Sequence, residues 1–194
     1  MRLEVYGRTR PFPGETVSGD GWLVLQHGAT TRIAIIDGAG HGAAANQACS
    51  AVQRRLTEAG PGPMPEVLRA CHAELYGTRG AVVSLVDVGE KALGFAGVGN
   101  ADVLLITPER SRRLTPDRGL LGALAPRIHV QELPLPQPEW RLVMISDGIR
   151  SRIALTWDDV RVLDESDVLL ESLIERWGRD TDDATIVIVA PSPQ

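Results

Sequence analysis

Three apolar runs follow one another between residues 81 and 107 with almost nothing between them. AVVSLVDVG (81–89), ALGFAGVG (92–99) and ADVLLIT (101–107) are separated by two residues and by one residue. Connections this short join antiparallel neighbours, because a parallel pair needs a crossover of a dozen or more residues. The segment therefore argues against a fold built by strict alternation of strands and helices.

The rest of the chain adds helices and further strands around this run. Periodicity and turn residues predict strands at 21–26, 32–36, 127–133, 140–146 and 184–190, and helices at 43–60, 65–76 and 167–178. The last strand is apolar throughout, which is typical of a central strand covered on both faces. Residues 108–126 contain three prolines and are predicted to be irregular. Hairpin-joined strands with helices as covering layers predict an α+β layered fold in a single domain over 1–194.

Composition excludes several classes of function. Hydrophobic residues make up 43% of the chain, which is typical of a globular protein, and the net charge of −5 argues against a general nucleic-acid binder. No apolar run reaches the roughly 18 residues of a membrane span, and the N-terminus has no signal-peptide pattern. The two cysteines form neither a disulfide framework nor a zinc motif. We therefore expect a cytoplasmic protein with no membrane and no nucleic acid among its partners.

Aspartates stand where predicted strands begin or end. Asp20 opens the first strand, Asp37 follows the second, Asp147 follows the strand at 140–146, and Asp182 and Asp183 precede the last one. In a hairpin, the start of one strand and the end of its partner lie at the same edge of the sheet, so Asp20 and Asp37 are expected to be neighbours. The other aspartates reach the same edge if their strands are adjacent.

A cluster of carboxylates at one edge needs positive charge. Two unit charges 4 Å apart repel by roughly 4 kcal/mol at an effective dielectric constant of 20. Oxygen ligands of this kind suit Mg²⁺ or Mn²⁺, and two such ions can activate a water for in-line attack on phosphorus. The glycine after Asp37 lets the Gly38 carbonyl approach a metal, although a single Asp-Gly after a strand is also a common turn. Taken together, the aspartates favour a metal site.

The same motifs resemble a known family. They are SGD at 18–20, IIDGAGHG at 35–42, GVGNADVLL at 97–105, ISDGI at 145–149 and DDATIVIV at 182–189. In this order they resemble the PPM family of metal-dependent serine/threonine protein phosphatases, in particular its SpoIIE-like subgroup and the short RsbX-type stressosome phosphatases. The resemblance spans nearly the whole chain. It implies a four-layer αββα sandwich of two antiparallel sheets flanked by helices, with two Mn²⁺ or Mg²⁺ ions at one edge.

The resemblance also implies roles for individual residues. Asp37 would bridge both metals, while the Gly38 carbonyl and Asp20 would serve one of them and Asp147 and Asp182 the other. Asp37 and Asp147 would thus be the catalytic residues.

Many members of the family have asparagine at the position of Asp183, which leaves Asp183 as the alternative ligand to Asp182. A metal-bound hydroxide would attack the phosphoserine or phosphothreonine, so no protein nucleophile is needed.

The chain departs from the family at two positions. Many eukaryotic members carry a histidine directly after Asp-Gly as a candidate acid for the leaving alkoxide, whereas Ala39 stands there and a histidine comes later, as His41. A metal-bound water or His41 remains as proton donor, and a helix N-terminal packing role for His41 is the simpler alternative. Those members also have an upstream arginine that holds the phosphate, and none matches near Glu15.

No substrate-binding residue is therefore assigned. Arg8 and Arg10 are possible substitutes for the missing arginine, and a basic cluster in the irregular stretch could receive an acidic substrate. That cluster consists of Arg110, Arg112 and Arg113. Surface arginines with no ligand are the plainer interpretation of both sets.

The resulting hypothesis is a phosphoprotein phosphatase that needs Mn²⁺ or Mg²⁺. The resemblance implies a bacterial signalling protein as substrate, of the STAS-domain type found in stressosome and partner-switching systems. The alternative is a catalytically silent relative that acts as a binding module. A calcium-stabilised structural domain ranks last, because the chain has no loop of closely spaced oxygen ligands.

Overall fold

The computed structural model describes residues 1–123, 127–136, 139–150, 153–163 and 166–192. The strands are β1 (Leu3–Arg10), β2 (Asp20–His27), β3 (Thr30–Gly38), β4 (Ala81–Val88), β5 (Ala92–Val98), β6 (Asp102–Ile106), β7 (Ser111–Leu114), β8 (Gln131–Pro134), β9 (Arg141–Ile145) and β10 (Ala184–Pro191). The helices are α1 (Gly42–Ala59), α2 (Met64–Glu74), α3 (Trp157–Val160) and α4 (Ser166–Trp177). In the described ranges, no helix is both long and apolar enough to cross a membrane.

The strands form two five-stranded sheets in which every pair is antiparallel. The first sheet has the order β1-β10-β9-β6-β7, and the second has the order β2-β3-β4-β5-β8. As its uniform apolar sequence predicts, β10 lies inside its sheet, and its residues are buried up to Ala190.

Three layers of buried apolar side chains hold four layers of backbone together. The central one lies between the sheets and includes Phe95 and Trp140, both at most 1% exposed. A second joins α1 and α2 to the outer face of the β2–β8 sheet, and a third joins α3 and α4 to the outer face of the β1–β7 sheet. The molecule is therefore the predicted αββα sandwich of two antiparallel sheets between helices.

Register places many strand ends at one edge of this sandwich. The start of β2 lies opposite the end of β3, which lies opposite the start of β4. In the other sheet, the end of β9 lies opposite the starts of β6 and β10. We call this the aspartate edge, since the strand-terminal aspartates lie on it.

The structure corrects the sequence prediction in several elements. It adds β1, a sheet-edge strand whose residues are all half-buried and whose sequence mixes arginine with apolar residues, so that its pattern is weak. The stretch predicted to be irregular contains the four-residue strand β7, whose first three residues are exposed. The strand predicted at 127–133 begins only at Gln131, and the four-residue helix α3 was not predicted.

Candidate active site

The β2–β3 hairpin brings the first two aspartates together. Asp20 and Asp37 are direct partners across the antiparallel pair, and Gly38 is paired with Ala81 on the next strand. Asp20 is only 7% exposed, and its Oδ2 atom is buried without a hydrogen-bond partner. The expected adjacency of these two carboxylates is thus present, and one of them has an unsatisfied oxygen.

The second sheet contributes two further carboxylates to the same edge. Asp147 follows β9, and Asp182 lies two residues before β10. Asn100, in the turn between β5 and β6, donates a hydrogen bond from Nδ2 to Asp147 Oδ2 over 2.8 Å. The glycine-rich turn that ends in Asn100 is not the tight hairpin that the sequence predicts, because β5 and β6 belong to different sheets. It carries the chain from one sheet to the other and orients an aspartate there.

The four aspartates act on one another electrostatically. Burial, followed by the charges of Asp20, Asp147 and Asp182, raises the pKa of Asp37 from 3.8 to about 9. Burial likewise raises the pKa of Asp20 to about 7, against the opposing effect of nearby hydroxyls. Burial and then the charge of Asp147 raise the pKa of Asp182. Over the described residues, no arginine or lysine forms an ion pair with any of the four.

Both Asp-Gly pairs need their glycine for close backbone packing. A Cβ atom at Gly38 would lie 2.2 Å from the carbonyl oxygen of Ala45 on α1. A Cβ atom at Gly148 would lie 1.7 Å from the carbonyl oxygen of Asp183. Real Cβ atoms do not come this close, so glycine is needed after each aspartate for the backbone to pack against the neighbouring carbonyl group.

Asp183 has a different environment from Asp182. Its side chain is buried, and its two carboxylate oxygens accept hydrogen bonds from the backbone N–H groups of Phe12 and Gly19, each over 2.8 Å. These bonds tie the segment between β1 and β2 to the start of β10. Asp183 thereby fixes the residue that precedes Asp20.

His41 is held at the aspartate edge by two side chains from the β1–β2 segment. Its Nδ1 atom lies 3.1 Å from Glu15 Oε1, and its ring stacks on Phe12 with centroids 4.2 Å apart. A positive charge on His41 would lower the pKa of Asp182, an effect smaller than those of burial, Asp147 and Asp183. Sequence reasoning missed the contribution of Glu15, since nothing in a sequence pairs a loop glutamate with a histidine 26 positions away.

The arginines considered from sequence are engaged elsewhere. Arg8 forms an ion pair with Glu171 of α4 at 2.9 Å, and Arg10 donates to the carbonyl oxygen of Arg179. Neither offers a free guanidinium for a phosphate.

The arginines of the predicted basic cluster lie away from the aspartate edge or are engaged in an ion pair. Ile106 at the end of β6 pairs with Ser111 at the start of β7, at the opposite end of β6 from the aspartates. Arg110 and Arg112 are the two neighbours of Ser111 in the chain, so they lie at that opposite end. Arg113 forms an ion pair with Asp102. The cluster is therefore not part of this site.

The donor set fits divalent cations. Carboxylates and a backbone carbonyl are the ligands that Mg²⁺ and Mn²⁺ prefer, and the buried, unpartnered Asp20 Oδ2 lacks a positive partner. Among the described residues, no three His, Cys, Asp or Glu side chains converge tightly enough to enclose an ion. The chemistry of the residues thus suits the metals.

Comparison with known proteins identifies the family. The family model described as Stage II sporulation protein E (SpoIIE) matches residues 27–191, which include Asp37, Asp147 and Asp182. A comparison with curated proteins finds no match.

Solved structures share the fold over the whole chain. One, described as "The bacterial stressosome: a modular system that has been adapted to control secondary messenger signaling", is 27% identical, with a TM-score of 0.88 over 97% of this chain and 100% of that one. RsbX in complex with magnesium is 17% identical, with a TM-score of 0.84 over 98% of this chain and 96% of that one. The serine/threonine phosphatase Stp1 from Staphylococcus aureus is 14% identical, with a TM-score of 0.81 over 100% and 96%. The chain therefore belongs to the SpoIIE family and has the fold of the PPM-type serine/threonine phosphatases, as its motifs predict.

Proposed function

We propose that the protein is a metal-dependent phosphatase that removes phosphate from serine or threonine of a protein. The observation that carries the proposal is the meeting of Asp20, Asp37, Asp147 and Asp182 at one edge. The pKa values of Asp20, Asp37 and Asp182 are raised there, and no arginine or lysine of the described residues forms an ion pair with any of the four. A silent binding module would gain nothing from this electrostatic cost.

The residues that would hold the metals are Asp20, Asp37, the Gly38 carbonyl, Asp147 and Asp182. Bound Mn²⁺ or Mg²⁺ would neutralise the carboxylates and activate a water for attack on phosphorus. Hydrolysis breaks the bond between phosphorus and the seryl or threonyl oxygen and releases inorganic phosphate.

The test of this function compares metals on the wild-type chain. Hydrolysis of p-nitrophenyl phosphate is measured with Mn²⁺, with Mg²⁺ and with EDTA. Turnover that appears with either metal and disappears with EDTA supports the phosphatase. No turnover with either ion, together with no metal-induced thermal stabilisation, would favour the silent binding module.

We further propose that the substrate is a phosphorylated STAS-domain protein of a cytoplasmic stressosome-like pathway. The support is the resemblance of the motifs and the similarity to the chain described with the bacterial stressosome. Both cysteines are unpaired and buried, which is compatible with a reducing compartment.

His41 is the side chain best placed to give a proton to the leaving oxygen. Because Nδ1 donates to Glu15, Nε2 is the atom that would meet the substrate. His41→Gln is expected to lower kcat/KM for a phosphoserine peptide by about 100-fold, within the usual range for loss of a general acid. The rate with p-nitrophenyl phosphate should change only a few-fold, because its leaving group needs no proton.

A histidine at the other end of the strands provides the control. His27 lies in the β2–β3 hairpin, opposite Thr30 and far along the register from Asp20 and Asp37. His27→Gln should leave both substrates unaffected. Equal losses with both substrates in the His41 variant would contradict the proton-donor role.

Asp182 and Asp183 should respond differently to removal of charge. Asp182→Asn is expected to abolish stabilisation by Mn²⁺ while leaving the melting temperature in EDTA unchanged or higher. Asp183→Ala should lower the melting temperature with or without metal by about 5 °C or more, because two charge-assisted hydrogen bonds are lost. Thermal melting of both variants in Mn²⁺ and in EDTA is the measurement. The opposite pattern would make Asp183 the ligand.

A further inference from the structure

The loop between α2 and β4 is fastened to the turn that follows Asp37. The backbone N–H of Ala39 donates to the carbonyl oxygen of Gly80 over 2.9 Å. The loop also holds itself together, because the Thr78 hydroxyl donates to the carbonyl oxygen of Leu75 over 2.7 Å and accepts from the N–H of Gly80 over 3.0 Å. The residue between Thr78 and Gly80 therefore has a well-defined position at the aspartate edge.

That residue is Arg79, and its guanidinium lies against the turn that leads from Gly38 to α1. A Cβ atom at Gly40 would lie 2.9 Å from Arg79 Nη1 and 4.0 Å from its Cζ. Gly40 has a φ of 87°, so this is a position where glycine both adopts the backbone conformation and leaves room for the guanidinium. The guanidinium of Arg79 thus lies next to Gly40, three residues after Asp37 in the chain.

Arg79 carries its charge without a protein partner in the described part of the chain. It is exposed, and neither an ion pair nor a hydrogen bond of its side chain occurs there. Arg8 and Arg10, by contrast, are tied to α4 and to the loop before β10. Arg79 is therefore a cation at the turn that follows Asp37 and remains available for a ligand.

We infer that Arg79 binds the phosphoryl group of the substrate. The inference rests on the proposed phosphatase function and assigns a binding residue where the sequence offered none. A guanidinium presents a planar fork of N–H donors that matches two phosphoryl oxygens, and such charge-assisted bonds are the strong ones.

The experiment compares Arg79→Met with Arg112→Met, which removes an exposed arginine at the far end of β6 and β7. Methionine keeps much of the side-chain stem. For a phosphoserine peptide, the Arg79 variant is expected to lose about 10- to 100-fold in kcat/KM, the range for hydrogen bonds to a charged group. Inorganic phosphate should bind the Mn²⁺-loaded variant more weakly by a similar factor in calorimetry. Stabilisation by Mn²⁺ should be unchanged in both variants.

The outcomes separate this inference from the proposed function. If wild-type protein hydrolyses no phosphate ester, the proposed function falls, while phosphate binding by calorimetry still decides the role of Arg79. If Arg79→Met binds phosphate and turns over peptide as Arg112→Met does, the inference is overturned. Recovery of part of the affinity in Arg79→Lys would support a charge contribution in addition to the fork geometry.

Discussion

Asp37→Asn and Asp147→Asn are each expected to lower Mn²⁺-dependent hydrolysis of p-nitrophenyl phosphate by more than about 100-fold, since even the outer-shell partners of a metal site are worth 10- to 100-fold. Asp37 interacts electrostatically with all three other carboxylates, because its pKa is raised by burial and then by the charges of Asp20, Asp147 and Asp182. Removing its charge takes away the centre of the cluster. Asn100 orients Asp147, so replacing Asp147 removes a carboxylate whose position is fixed for binding a metal.

A surface aspartate provides the matched control for this loss. Asp158 on α3 has a side chain that is 87% exposed and is paired with Arg161, three residues further along the chain. Asp158→Asn makes the same chemical change and should keep wild-type rates with Mn²⁺ and with Mg²⁺. Full activity in Asp37→Asn would show that the aspartate edge is not where hydrolysis occurs.

The sequence predicts most of this edge because strand ends are among its clearest signals. Asp37 and Asp147 each follow an apolar run and precede glycine, and an antiparallel hairpin leaves little freedom in where Asp20 can lie relative to Asp37. The longer helices of the outer layers, α1, α2 and α4, are also predicted from the sequence. What these elements share is local periodicity, which needs no knowledge of distant contacts.

The features that sequence reasoning missed depend on contacts between distant segments. The strand β1 lies at a sheet edge with half-buried residues, so it lacks the alternation that would reveal it. Arg79 and Glu15 lie in loops, and only the hydrogen bonds of those loops bring them to Gly40 and His41.

Local sequence is likewise insufficient to choose between the adjacent residues Asp182 and Asp183 as the metal ligand. Both precede β10, and no local pattern tells them apart. Their environments do, because Asp183 accepts two backbone hydrogen bonds, whereas Asp182 lies where the charges of Asp147 and His41 reach it. This difference requires the path of the β1–β2 segment, which the sequence does not specify.

The metal-free protein is expected to become more stable when Asp37 is replaced by asparagine. The folded protein keeps a proton on Asp37 up to about pH 9, while the unfolded chain releases it near the ordinary value of 3.8. Between these two pH values the unfolded state binds fewer protons, so the free energy of unfolding falls as pH rises. The contribution of Asp37 is fully present below about pH 4 and is lost as pH rises through the folded pKa.

Asparagine resembles the protonated acid and removes this pH penalty. At pH 8 in EDTA, Asp37→Asn should melt about 5–10 °C above wild type, which corresponds to a few kcal/mol in a chain of this size. From pH 5 to pH 8, the melting temperature of the metal-free wild type should fall more steeply than that of the variant. Differential scanning calorimetry across this range measures both effects.

Metal should reverse the order of the two proteins. Mn²⁺ at 100 times its dissociation constant stabilises a folded protein by about 2.7 kcal/mol for one site, and Asp37→Asn should lose most of that gain. Asp87→Asn is the control, because Asp87 holds the buried Arg32 at 2.7 Å and its loss should destabilise the protein equally with and without metal. If Asp37→Asn behaved like Asp87→Asn and destabilised the metal-free protein, Asp37 would be a structural carboxylate. A higher melting temperature in EDTA together with a lost response to Mn²⁺ would instead mean that the fold tolerates the repulsion at the aspartate edge for the sake of binding cations.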